Sequence, residues 1–178
     1  MTDPTNVAQI QAARDFNQAI ISKLATENGV HAETAISAAS RMAGTLLIHA
    51  SGLPLDNFKP GSPILSDNMN ERGQEMLKVV DQTLDLLKVP FDATKLDYDL
   101  PPDHSPLMEL LETQSLLEEP FRAVLTRHGL TAQQGAYAAA ISTAMLIQQC
   151  SGILDPHVAY VIAAYGMVQA VKTVPARA

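Results

Sequence analysis

Tryptophan is absent from the 178-residue chain, and four phenylalanines and four tyrosines are all the aromatic mass it has. A core of this protein must therefore be built from aliphatic side chains, alanine and methionine, with close backbone approach where alanine and glycine recur. Charge is sparse as well: charged residues make up 17% of the chain against 47% hydrophobic ones, a balance that excludes a disordered chain and points to a compact globular fold. Lys and Arg are outnumbered, the formal net charge is -7, and no basic run occurs, so a phosphate backbone finds no electrostatic footprint and no nucleic acid partner is expected. The single Cys150 has no partner for an internal disulfide and sits in an apolar stretch, which reads as a small core residue in a reducing, cytoplasmic setting. The opening "MTDPTNVAQIQAARDF" has neither a basic nor an apolar region of the export kind, which fits the same expectation.

The motifs of common chemistry are missing too. His31, His49, His104, His128 and His157 never pair at helical spacing, no Cys pair occurs, and neither Glu-x-x-His nor His-Glu-x-x-His is present, so no metal and no cofactor is expected. Glycine-rich phosphate loops and the Gly-x-Ser-x-Gly elbow are absent, and no catalytic residue stands out. Asp103 and His104 are adjacent but lie in a proline-rich loop with no nucleophile beside them. Residues 129 to 171 carry Asp155 as their one charged side chain. Ser142, Thr143 and the flanking glutamines interrupt the apolar runs before they reach the roughly 18 to 20 residues of a membrane span, so no membrane partner is expected.

What the chain does contain is helical periodicity, with no convincing period-two alternation. Val7, Ile10, Phe16, Ile20, Ile21 and Leu24 predict a helix over 5 to about 27, stopped near Gly29, and Ala35 to Ala50 form the stripe of a second that Gly52 closes. Residues 53 to 65 hold three prolines and read as a loop pinned by Leu55, Phe58, Ile64 and Leu65. Ser66, Asp67 or Asn68 can cap a third helix reaching Lys88, Asn68 with Glu71 resembling a capping box, and Met69, Met76, Leu77, Val80, Leu84 and Leu87 bury it. Residues 89 to 104 form a proline-rich acidic linker. Ser105 before Pro106 predicts the start of a fourth helix, which Pro120 kinks or splits and His128 ends near the negative pole of the dipole. Thr131 and Gln134 box a fifth helix over 132 to about 150, and Asp155-Pro156 opens a sixth that ends near Lys172.

The helices come in matching sets. A shift of one hundred aligns 5 to 53 with 105 to 153 without a gap, matching Thr26, Gly29, Ala32, Ala38, Ala39, Leu46, Ser51 and Gly52. Thr5 and Ser105 fall at the start of each set. The fold expected is all-α: one domain of six helices, in which repeat units 5–88 and 105–173 flank the 89–104 linker and pack about a pseudo-twofold axis.

Helix 2 reads as amphipathic, with Arg41 and His49 outward, whereas helices 5 and 6 are uncharged all round. Small residues at Ala136, Ala140, Ala144, Ala159, Ala163 and Gly166 allow close helix approach, and the leading expectation is an interaction module that forms a homodimer through that pair. The alternative is a carrier or sensor of an apolar small molecule, with Met69, Met76, Tyr137 and Tyr165 lining a chamber between the units. Asp67, Asn70, Glu71 and Arg72 form a polar cluster at the start of helix 3, read mainly as a solvated helix end.

Overall fold

A computed structural model describes residues 4–176 as six α-helices packed on one another, with no strand among the described residues. They are α1 (Pro4–Leu24), α2 (Ala32–Ala50), α3 (Asp67–Leu86), α4 (Leu110–His128), α5 (Ala132–Cys150) and α6 (Pro156–Val171). The ends of α2 and α5 fall one hundred residues apart, as the alignment predicts, and Gly29 and Gly129 both take positive φ before them. The side chain of Thr5 lies outside the described residues. Among those described, no helix is long and apolar enough to cross a membrane.

Packing is mainly across the two halves. The most extensive contacts join α2 to α5 and α6, α5 also meets α1 and α3, and α1 meets α4. Hence neither half has a core of its own. Phe16 of α1 stacks on Phe121 of α4 with ring centroids 4.0 Å apart, both fully buried. Around α2 the approach is close instead. A Cβ on Gly44 would stand 2.6 Å from that of Ala170, and one on Gly166 would stand 2.4 Å from Ser40 Oγ, so glycine at both sites is what lets α2 and α6 touch backbone to backbone.

Helix ends follow local chemistry, and here some expectations fail. The box on α5 is formed: Gln134 N–H donates to Thr131 Oγ1 at 3.2 Å, and Thr131 N–H to Gln134 Oε1 at 2.9 Å. Asp155 caps α6 as expected. On α3 the cap is Ser66, the first of the three candidates, its Oγ accepting from Met69 N–H at 3.3 Å; Asn68 already lies inside the helix, so the Asn68–Glu71 box is not formed. Ser105 caps nothing. The α4 helix starts at Leu110, because 104 to 108 are tied across α2 by tertiary bonds that outbid a local helix start. It then runs unsplit through Pro120.

The 89–104 segment is no free linker. Val89 is buried, Leu96 and Leu100 pack on the core, and Phe91 lies against His157 and Tyr160 at centroid distances of 5.4 and 4.7 Å. His157 Nε2 accepts from the Asp92 N–H at 3.1 Å, so the segment is strapped over the start of α6. In the 53–65 loop Ile64 is buried and Leu55 partly so, whereas Phe58 is half exposed and Leu65 faces outward.

Candidate functional site

The strap that displaces the start of α4 also creates the best-formed site. From His104 to Met108 the chain crosses α2 and is tied down three times. His104 Nδ1–H donates to Glu33 Oε1 at 3.1 Å, Leu107 N–H donates to Thr34 Oγ1 at 2.9 Å, and Arg41 Nη1 donates to the Met108 carbonyl. On one side of this crossing opens a cleft of about 580 Å³ between the 24–34 corner of the first half and Leu107, Met108, Ile153 and Leu154 of the second.

Its wall is mainly apolar, with one polar corner at the start of α2. His31 caps that helix, Nδ1 accepting from Thr34 N–H at 3.3 Å, which leaves the ring proton on Nε2, 3.4 Å from Glu33 Oε2. Glu33 therefore sits between two imidazoles. Burial alone would raise its pKa, but the His104 hydrogen bond, its own backbone N–H and the charges of both histidines hold the carboxyl below its ordinary value. At the cleft mouth Leu107 and Ile153 are 76% and 82% exposed, a large apolar area for side chains that border a cavity.

This corner can bind and hold a proton, but it presents no nucleophile. The Thr34 hydroxyl is 2.8 Å from His31 Nδ1, accepts the Leu107 N–H and is buried. Cys150 is half-buried, and burial together with the Glu33 charge raises its pKa, which keeps it a thiol. Among the described residues no group of His, Cys, Asp or Glu is placed to hold a metal ion.

A second cleft of about 430 Å³ holds His49 Nε2 bonded to Glu118 Oε1 at 2.7 Å, with Arg122 on its wall. His49 is exposed, as the stripe predicts, but Arg41 is not outward: it is only 7% exposed, because α2 lies at the centre of the bundle and has no wet face at that position. His128 does more than meet a dipole. Its Nε2 and the Arg127 guanidinium both bond Asp15 Oδ2 at 2.9 Å, tying α4 to α1; the His128 hydrogen bond foremost, then Arg127, holds the Asp15 carboxyl below its ordinary range.

The other residues singled out from the sequence fall elsewhere. Met69 and Met76 are closed into the core, Tyr137 packs partly against it, and Tyr165 is half exposed with its hydroxyl donating to the Tyr98 carbonyl. These four do not line one chamber. Ala136, Ala140, Ala144, Ala159 and Ala163 are fully buried within the single chain, and Gly166 faces Ser37 and Ser40 of α2. The close approach they allow is made to the chain's own helices. Asp67 and Glu71 are exposed, Asn70 and Arg72 half covered, and of these only Asn70 borders a cavity, a depression of about 240 Å³. Sequence reasoning passed over Glu33, Leu107 and Ile153. The His31-Ala-Glu33-Thr34 run at a helix start was a readable signal for the first, whereas the other two meet only through the strap.

No protein-family model, curated protein or solved structure matches the chain.

Proposed function

We propose that the protein is a small-molecule carrier or sensor, holding a largely apolar ligand with one hydrogen-bonding group in the cleft between its two halves. The observation that carries this reading is the exposed pair Leu107 and Ile153 at the mouth of a 580 Å³ cleft whose floor ends at the Glu33 corner. That volume falls within the roughly 300 to 1,000 Å³ of small-molecule sites, and an apolar body over those two side chains would remove them from water. The ligand's polar end would meet His31 and Glu33. With no nucleophile offered, holding is favoured over conversion.

Native mass spectrometry of gently purified full-length chain, set beside its denatured mass, tests this. An excess mass lost on denaturation is expected. Ile153→Asp, at a position 82% exposed, should abolish that excess and leave the circular dichroism unchanged. A chain with no excess mass, and with no thermal response to a broad set of apolar compounds, would remove the reading. Self-association is the competing reading; a mass of two chains and nothing more would favour it, although the six small residues first assigned to that interface are covered within one chain.

A further inference from the structure

On the other side of the 104–108 crossing, a separate cavity of about 260 Å³ is lined by Ser37, Arg41, His104, Ser105, Tyr165 and Gln169, among others. Arg41 is the unusual member, a cation 7% exposed at the centre of a sparsely charged bundle. Its Nε donates to Gln169 Oε1 at 3.0 Å, and Nη1 to the Met108 carbonyl and to Thr113 Oγ1 at 3.3 Å. All three acceptors are neutral. Among the described residues no carboxylate lies in ion-pair range of the guanidinium; the Glu109 charge favours it only from farther away.

A guanidinium has five N–H donors, and the two on Nη2 find no acceptor among the described residues. No fully buried side-chain nitrogen or oxygen among the described residues lacks a partner, so this unpaired Nη2 is open to space, and Arg41 borders the 260 Å³ cavity. Buried charges are ordinarily paired, because an unpaired one loses its hydration without return. The planar Nη2 edge offers what a carboxylate or phosphate oxygen needs, and Ser37 and Ser105 line the same cavity.

We propose that this cavity binds a small oxyanion, a carboxylate or a phosphate, against the Nη2 edge of Arg41. The anion completes the charge balance that the chain leaves open at the centre of α2. The site is distinct from the 580 Å³ cleft, and the two proposals can fail separately.

The test is thermal melting of the full chain in sodium acetate, sodium phosphate or sodium chloride at matched ionic strength. A saturable rise on the order of 3 °C over chloride is expected in acetate or in phosphate, at about ten times the dissociation constant. Which of the two acts identifies the anion class. Gln169→Glu and Ser105→Asp each place a carboxylate on the cavity wall at an exposed position. Either variant, melted in chloride, should be at least as stable as the original chain and should lose the anion-specific rise. No rise with either anion would overturn the proposal. So would a rise that persists undiminished in both variants, since general salt effects on stability survive such changes.

Discussion

Helices α2 and α5 have the same length and ends one hundred residues apart, and both are largely buried, yet almost all the chemistry-bearing side chains are on one of them. Where α2 has Glu33, Ser37, Ser40, Arg41 and His49, α5 has Gln133, Tyr137, Ala140, Ile141 and Gln149. Gly44 of α2 corresponds to Ala144 of α5. The two helices serve as equivalent struts of the bundle, but only α2 lies under the 104–108 strap, where Thr34 and Arg41 meet partners from a distant part of the chain; α5 makes such a buried tie through Ser142, whose hydroxyl donates to Asn17 Oδ1 of α1. A polar residue in a core is tolerable where hydrogen bonds await it.

The comparison can be broken by exchanging residues between the two helices. Gly44→Ala, which copies α5 into α2, gains up to about 1 kcal/mol of helix propensity but drives a methyl into Ala170 and the Met167 carbonyl. A net loss of about 2 kcal/mol is expected, read as a lower urea midpoint at unchanged slope. If the variant is more stable, α2 and α6 are not in backbone contact.

Glu33→Gln copies Gln133 and removes the carboxylate between His31 and His104. A loss of about 1 to 2 kcal/mol is expected at pH 7. Because the folded Glu33 pKa is depressed, its stabilisation is present above the ordinary value of 4.5 and is lost as pH falls through the folded value. Denaturant midpoints of the two proteins should therefore differ at pH 7 and converge near pH 3. A difference that persists in acid would mean the carboxylate charge is not what stabilises the corner.

The reverse exchange, Ala144→Gly, should cost about 2 kcal/mol, about 1 from propensity and about 1 from the fully buried methyl it removes. Thr131→Ala removes the α5 capping box and should cost about 1 kcal/mol, which calorimetry would read as a fall of a few degrees. His31→Ala removes the corresponding cap on α2 and also a wall of the cleft, so it should weaken ligand retention where Thr131→Ala does not.

Much of the architecture was legible before any coordinates. Thr131 with Gln134, and Asp155 before Pro156, are local devices whose partners lie within three residues, so the chain fixes them wherever they fall. Ser105 before Pro106 carried a similar signal and was overruled, because Glu33 holds His104 just before it while Thr34 and Arg41 bind Leu107 and Met108 just after. Arg41 shows the same limit from the other side. A charged residue on an alanine-rich stripe reads as outward, and only the packing of α2 among its neighbours puts it inside.

The sequence by itself determined six helices, the caps of α5 and α6 and the small residues that permit close packing, since these depend on contacts within one turn or on periodicity along one helix. Which helix lies at the centre, where the strap crosses and which side chains border a cavity were decided by tertiary structure alone. Those features join residues about seventy to one hundred and thirty positions apart, such as His104 with Glu33 and Gln169 with Arg41, and no local pattern in the chain encodes such a meeting.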